Sequence, residues 1–324
     1  MTYEVSPLTR KILEFSFLPG VVSAALRRIT SSIATGIEVD KWNFDEVLAR
    51  FARPSTNKSA TPPAEGVERV LDACATDSQG ILSALDRDYP APLRHIEDFP
   101  PLLFFKGSVS ALHKRNIAVV GTREVSRLGK SWARQISKIL AQVNICTVSG
   151  LALGVDTAAH EGALAGSGVT VAVMAHGLDR VSPSSNKELA RHIVESGGAL
   201  VSEHPPFTPP RKPEYVRRNR LQSGMSIASI VVESGEIGGS IYQGRFTHEQ
   251  GRILFCVNPP EHLIESREFR YGGARKLISD YEARSLRKSE DLNEFIRSKQ
   301  FEELFDHLNS SPWSPPTPLQ GKLI

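Results

Sequence analysis

The chain has 324 residues, with 39 Lys and Arg against 36 Asp and Glu and a formal net charge of +3. This length allows one large core plus a smaller appendage, and the near balance of charge excludes a histone-like protein while leaving room for a local cationic patch. Cys74, Cys146 and Cys256 form neither a CxxC pair nor a disulfide framework, so a reducing cytoplasmic setting is expected. The opening MTYEVSPLTRKILEF has no apolar run suited to a signal peptide or a membrane span.

Apolar positions recur at helical spacing in residues 11–17, 21–29 and 45–51, separated at Leu18-Pro19-Gly20 by a turn. Residues 53–66 (RPSTNKSATPPAEG) are too polar and Pro-rich to bury much surface and are predicted to be a linker. The stretch 1–85 is therefore expected to be a small helical N-terminal region.

From residue 86 to 280 the pattern changes. Residues 116–120 (NIAVV) form a short apolar run ending at Gly121 and predict a buried strand. Trp132, Ile136, Ile139, Leu140 and Val143 then fall on one helical face. The alternation repeats: strands at 145–148, 169–174, 199–201, 227–232 and 253–257, with helices through 158–165 and near 187–196 and 242–250. Buried strands alternating with amphipathic helices give an α/β fold, an extended Rossmann-like domain with a mostly parallel sheet. Residues 281–324 are expected to be a charged helix followed by a Pro-rich tail, SSPWSPPTPLQGKLI.

Small and polar residues follow the strands where an open parallel sheet binds its ligands. Gly121-Thr122-Arg123 combines a turn glycine with exposed amides and a planar guanidinium suited to phosphate. Ser149-Gly150-Leu151-Ala152-Leu153-Gly154-Val155-Asp156 and His176-Gly177-Leu178-Asp179, with Lys187 shortly after, repeat the theme. One such turn is ordinary architecture; three, one of them carrying Arg123, favour an anionic ligand. None is a GxGxxG dinucleotide fingerprint or a GxxxxGK[ST] loop, so no nucleotide cofactor is expected.

Residues 211–220 (RKPEYVRRNR) place Arg211, Lys212, Arg217, Arg218 and Arg220 against one acid, Glu214. Such clusters are often solvated loops, but five cations in ten residues of a nearly neutral chain suit salt-dependent phosphate binding. Tyr215 could stack on a base. Asn219 and Arg220 fit equally well as buried groups pairing with backbone or with Glu233. The candidate phosphate-binding residues are thus Gly121, Thr122, Arg123, Ser149, Gly150, Gly177, Lys187, Lys212, Arg217, Arg218 and Arg220.

HExxH and CxxC spacings are absent, so no metal site is expected, and no GxSxG or Cys/His signature supports a hydrolytic nucleophile. Asp156 and His160, four residues apart, could be an acid–base pair or could cap a helix and orient a turn. Glu203 and Glu233 could be catalytic carboxylates or partners of the arginines. No catalytic residue is assigned.

The order of these motifs resembles the DprA/Smf family of DNA-processing proteins. The resemblance runs over residues 86–280: Asp88-Tyr89-Pro90, Asp98-Phe99-Pro100-Pro101, Leu103-Phe104-Phe105-Lys106-Gly107, Val120-Gly121-Thr122-Arg123, the 149–156 turn with Ala159-His160, Gly177-Leu178-Asp179, Ser202-Glu203, Arg218-Asn219-Arg220, Glu249-Gln250-Gly251-Arg252 and Gly273-Ala274-Arg275-Lys276-Leu277-Ile278. It implies a non-enzymatic, dimeric protein that binds single-stranded DNA and helps load a RecA-type recombinase, with Arg123, Lys187 and the 211–220 cations in its anion pocket. Three places depart from the family pattern. Ser182-Pro183 stands for its Tyr-Pro, Tyr215-Val216 for its Phe-Pro, and Gly238-Gly239-Ser240 for its Ser-Gly-Ser. No full winged-helix domain is expected after residue 280. Two other readings follow the resemblance: a component of a phage-defence or toxin–antitoxin system acting with a toxin-like neighbour, and a nucleotide-processing enzyme of the related phosphoribohydrolase-like fold.

Overall fold

The computed structural model describes residues 3–38, 42–53, 63–266, 268–310 and 313. Asn116–Val120, buried at all five positions, is the strand from which the architecture grows. Among the described residues nine strands join one sheet: β1 (Gln79–Ser83), β2 (Leu102–Gly107), β3 (Asn116–Val120), β4 (Cys146–Ser149), β5 (Thr170–Val173), β6 (Ala199–Ser202), β7 (Ala228–Val231), β8 (Ile253–Val257) and β9 (Arg284–Leu286). Their order is β1-β2-β6-β5-β4-β3-β7-β8-β9. Every neighbouring pair from β6 to β9 is parallel, while β2 runs antiparallel to both β1 and β6.

The helices of the N-terminal part are α1 (Pro7–Ser16), α2 (Ser23–Ala34), α3 (Phe44–Phe51) and α4 (Pro63–Thr76), and α5 (Ala91–Arg94) follows β1. Crossovers between parallel strands are made by α6 (Arg127–Gln142), α7 (Val155–Ala165), α8 (Lys187–Glu195), α9 (Lys212–Gly224) and α10 (Gly239–Glu249). The chain closes with α11 (Glu261–Glu265), α12 (Gly272–Tyr281), α13 (Ser289–Ile296) and α14 (Lys299–Ser310). None of the described helices is long and apolar enough to cross a membrane.

The six strands predicted from apolar runs are β3 to β8, shifted by a residue or two at most. The sheet also takes in β1, which precedes residue 86, and β9, which follows residue 280. Of the expected linker 53–66, residues 54–62 lie outside the described residues and Pro63 opens α4. The Pro-rich tail falls outside them as well, except Ser310, which ends the last helix, and Trp313, whose ring meets Phe99 edge-on at 5.4 Å.

The N-terminal helices share a core with one face of the sheet: Ile12, Phe15, Leu26 and Ile29 belong to the cluster that holds Phe104 and Met174. Asp86 pins this union, accepting from Ser6 Oγ at 2.6 Å and from the Ser83 amide at 2.7 Å.

From β3 the chain steps outward through β4, β5 and β6, then returns to the other side of β3 as β7 and steps out to β8 and β9. β3 and β7 are parallel neighbours whose following connections leave in opposite directions. At such a switch point the loops diverge beyond the carboxyl ends of the strands and a crevice opens.

Candidate nucleic-acid interface

The crevice is a cleft of about 490 Å³, within the range of cavities that hold small ligands. It is built by the turn after β3, the turn after β4 that carries Ala152 and Asp156, the loop after β7 with the start of α10, and one face of α9.

The turn after β3 depends on two close approaches. A Cβ on Gly121 would stand 2.6 Å from Val155 Cγ2 and 2.7 Å from the Glu233 carbonyl oxygen. Gly154, which opens α7 at φ +85°, sits so close that a Cβ there would be 2.3 Å from the Thr122 carbonyl oxygen. The Thr122 amide donates to Glu233 O at 2.8 Å and the Val155 amide to Thr122 O at 3.1 Å. These bonds fix the backbone of 121–123 and leave the Arg123 side chain exposed. The Glu233 carboxylate accepts from the Ser126 amide (3.0 Å), Ser126 Oγ (2.7 Å) and the Arg270 amide (3.2 Å). It is a clamp between loops, with neither Asn219 nor Arg220 as its partner.

Helix α9 starts at Lys212 with Pro213 in its first turn, where the missing amide costs nothing. Lys212, Tyr215, Val216 and Asn219 line the cleft because three- and four-residue steps put them on one helix face. Arg123 lies over the Tyr215 ring, its Cζ 5.2 Å from the centroid, a cation–π contact that holds both groups at the cleft mouth. The Tyr215 hydroxyl is 3.0 Å from Ser182 Oγ.

One turn further, α9 is buried although it is polar. Arg218 donates to the Val173 carbonyl oxygen, and with the Gln222 amide turned to satisfy both groups, its oxygen accepts from Arg218 Nη1 at 3.1 Å and Nε at 2.9 Å. Burial lowers the Arg218 guanidinium to about 10, with Asp156 opposing, so it remains a cation at neutral pH in the wall of the cleft. Asp156 is raised by burial, opposed by Arg218 and by the amides of Ala152 and Gly150 that donate to it. That makes Asp156 the organiser of the 150–156 turn. His160 turns instead to Thr170 Oγ1, 2.7 Å from its Nδ1, so the acid–base pairing of the two does not form.

The loop after β7 was not among the expected phosphate contacts, yet Gly235, Ile237, Gly238, Gly239 and Ser240 all line the cleft. Asn219 Nδ2 donates to Gly239 O at 3.0 Å, and Ser234 and Ser240 share a hydrogen bond of 2.6 Å between their hydroxyls. No side chain caps α10, and its first residues Gly239 and Ser240 line the cleft, so the positive end of its dipole faces the cleft. The signal was present in Gly238-Gly239-Ser240, a glycine pair between a strand and a helix, the same pattern that singled out Gly121.

Of the eleven expected contacts, Gly121, Thr122, Arg123, Lys212 and Arg218 line the cleft. Gly150 lies against the Arg218 guanidinium. Ser149 is corrected to a supporting role: it is fully buried and its hydroxyl donates to Val119 O at 2.7 Å. Gly177, Lys187 and Arg217 stand outside the lining; Gly177 is packed against Pro205 and Phe207, while Lys187 and Arg217 are exposed. Arg220 is corrected outright. It is 1% exposed and forms a two-pronged pair with Glu203 at 2.8 and 2.6 Å and a third contact to Asp98 at 2.6 Å. All its polarity is consumed within the fold. Glu203, His204 and Glu214 bring potential ligand atoms within 4.8 Å of one another, a grouping no sequence spacing suggested, but Glu203 already serves Arg220.

The family model for DNA recombination-mediator protein A matches residues 80–297. The chain belongs to this family. The matched span of the DNA recombination-mediator family includes every residue of the cleft, from Val120 to Gln243. Among relatives, Protein Smf of Escherichia coli is 38% identical over 198 residues, which is 61% of this chain and 53% of the relative. The chain thus spans about half the length of that protein. DNA processing protein DprA of Bacillus subtilis is 35% identical over 73% of this chain and 78% of its own length. The solved structure of DprA from Streptococcus pneumoniae superposes with a TM-score of 0.70 at 28% identity, covering 90% of this chain and 98% of that one. DNA processing protein A from Helicobacter pylori, whose structure is described for its single-stranded DNA binding mode, shares the fold with a TM-score of 0.55 at 22% identity, over 72% of this chain and 96% of that one.

Proposed function

We propose that the cleft at the β3/β7 switch point grips the sugar–phosphate backbone of single-stranded DNA, and that the protein acts without catalysis as a DNA-binding mediator of DNA processing and recombination. The observation that carries this is the Arg123 guanidinium held over Tyr215, 5.2 Å away, beside the uncapped start of α10. A guanidinium and the positive end of a helix suit phosphate, and an aromatic ring beside them suits an unpaired base. Lys212 adds a further cation on the same lining.

The lining acids support a non-enzymatic reading over a phosphoribohydrolase-like one. Glu124 is bound by Arg270 at 3.1 Å, and Asp156 is held by two backbone amides, so neither is positioned as a free general base. Contact with a RecA-type recombinase belongs to the same reading, supported by the family's description as a recombination mediator, and so does the homodimer that the resemblance implies.

The test is an anisotropy titration of the full chain with single-stranded and duplex oligonucleotides of one sequence at two salt concentrations. Single strands are expected to bind more tightly, with affinity falling linearly in log salt. Equal binding of both forms, or binding indifferent to salt, overturns the reading. Nucleoside monophosphates and NAD incubated with the protein are expected to release no base.

A further inference from the structure

Outside the cleft, one residue has a conformation and an exposure that folding alone does not explain. Phe207, in the loop between β6 and α9, has φ +69° and is 59% exposed. An L-residue with a bulky side chain meets a steric penalty in that left-handed region, which glycine enters freely. An exposed ring recovers little of it by burial. The backbone is nevertheless tied firmly. The Phe207 amide donates to Asp179 Oδ1 at 2.7 Å, and the Gly177 amide donates to Thr208 O at 3.0 Å. A Cβ on Gly177 would stand 2.6 Å from both Asp179 Oδ1 and Pro205 O. The Gly177-Leu178-Asp179 motif, expected from sequence to meet phosphate, thus builds a stand for Phe207.

That stand is continuous with the cleft. Phe207 rests on Asp179, Ser182 lies three residues further along the same loop, and Ser182 Oγ meets the Tyr215 hydroxyl at 3.0 Å. The loops carrying Phe207 and Asp179 follow β6 and β5, so they leave the same carboxyl edge of the sheet that opens into the cleft. Arg180, exposed but paired with Asp179 at 2.9 Å, and the exposed Lys187 follow β5 on that edge. An aromatic ring presented to solvent beside cations is the arrangement that stacks an unpaired base while neighbouring phosphates are neutralised.

We propose that Phe207 is a second base-stacking platform, and that a single strand leaving the cleft past Tyr215 runs along the β5 and β6 ends to reach it, with Lys187 binding phosphate on the way. This rests on the cleft binding single-stranded DNA.

Phe207→Gly tests it cleanly, because glycine suits the left-handed backbone and removes only the ring. The full-length variant is expected to melt no lower than the parent. It is expected to bind an oligothymidylate of about 12 nucleotides about tenfold more weakly, with an unchanged salt slope because every cation that meets phosphate is still present. In a series of such strands with one 2-aminopurine moved along the sequence, quenching is expected to vanish at one position only. Phe207→Trp is expected to keep both affinity and quenching. If Phe207→Gly binds and quenches like the parent while Arg123→Ala binds weakly, the second platform is refuted and the cleft stands. If neither change affects binding, the cleft reading fails with it. A Phe207→Gly effect confined to self-association or protein contact, with DNA binding intact, also overturns the proposal.

Discussion

The guanidinium of Arg218 lies where a side chain on residue 150 would have to stand: a Cβ built on Gly150 would be 2.3 Å from Nη1 and 2.6 Å from Cζ of Arg218. Gly150 is therefore required by a close approach. Gly150→Ala forces Arg218 out of its bonds to Val173 O and Gln222 and moves a buried cation in the cleft wall. Overpacking of this kind costs about 1–3 kcal/mol. The variant is expected to show that loss in a urea melt, together with weaker single-strand binding. An alanine variant as stable as the parent would show that Arg218 has room to move.

Arg220 and Arg123 are expected to part company when removed. Arg220→Ala strands Glu203, 11% exposed at its side chain, without its two-pronged partner, and breaking a buried pair from one side costs about 3–5 kcal/mol. Lysine is not expected to rescue it, since an ammonium cannot bond Glu203 twice and reach Asp98 as well. The measurement is stability in urea, with DNA binding compared only under conditions where the variant is folded.

For Arg123→Ala the signs reverse. Its side chain is exposed and makes a ring contact with no ion pair to an acid among the described residues, so stability should change by less than about 0.5 kcal/mol. Affinity for single strands should fall, and the slope of log K against log salt should shrink by about 0.7 for each phosphate left without its cation. Lys212→Ala should act in the same direction. Unaltered affinity in both variants would remove the cleft from consideration.

The strands β3 to β8 were legible because parallel strands buried on both faces need continuous apolar runs such as NIAVV. Helix α9 was not, because its second half buries Arg218, Asn219, Arg220, Gln222 and Ser223 and so carries no apolar period to detect. The same fact misplaced Arg220: a run of cations looks alike whether its members face solvent or neutralise buried acids, and Glu203 and Asp98 are distant in sequence. β1 and β2 were missed as strands since they join the sheet antiparallel from outside the βα alternation. The glycine turn after β3 is legible from local chemistry alone; the loop at 235–240 carries the same kind of glycine signal, but only the pairing of β7 beside β3 places it across the cleft from that turn.

His160 makes stability depend on pH in a window of its own. The ring is fully buried in α7, with Nδ1 2.7 Å from Thr170 Oγ1, whose own hydrogen goes to Thr147 O at 2.7 Å. Thr170 Oγ1 must therefore accept from Nδ1–H, which leaves Nε2 unprotonated and without a partner. A proton on Nε2 would enter a dry site near the Arg218 cation; burial first, and Arg218 second, push His160 from 6.5 down to about 3. A folded value below the unfolded one means that the contribution is fully present above pH 6.5 and is lost as pH falls towards 3. Between pH 7 and pH 5 the loss from this residue is about 2 kcal/mol. His95 and His176, also lowered chiefly by burial, add to the slope in the same direction. Burial pulls Glu203 upward but Arg220 outweighs it and holds the carboxyl low, so Glu203 contributes only as pH falls below its usual 4.5. Asparagine at position 160 can supply an N–H to Thr170 and cannot titrate. His160→Asn is therefore expected to flatten the dependence of urea stability on pH between 7 and 5 by the His160 share, leaving the Glu203 contribution below pH 4.5 in place. A slope identical to the parent's over that interval would mean that His160 is protonated in the fold as easily as in the unfolded chain.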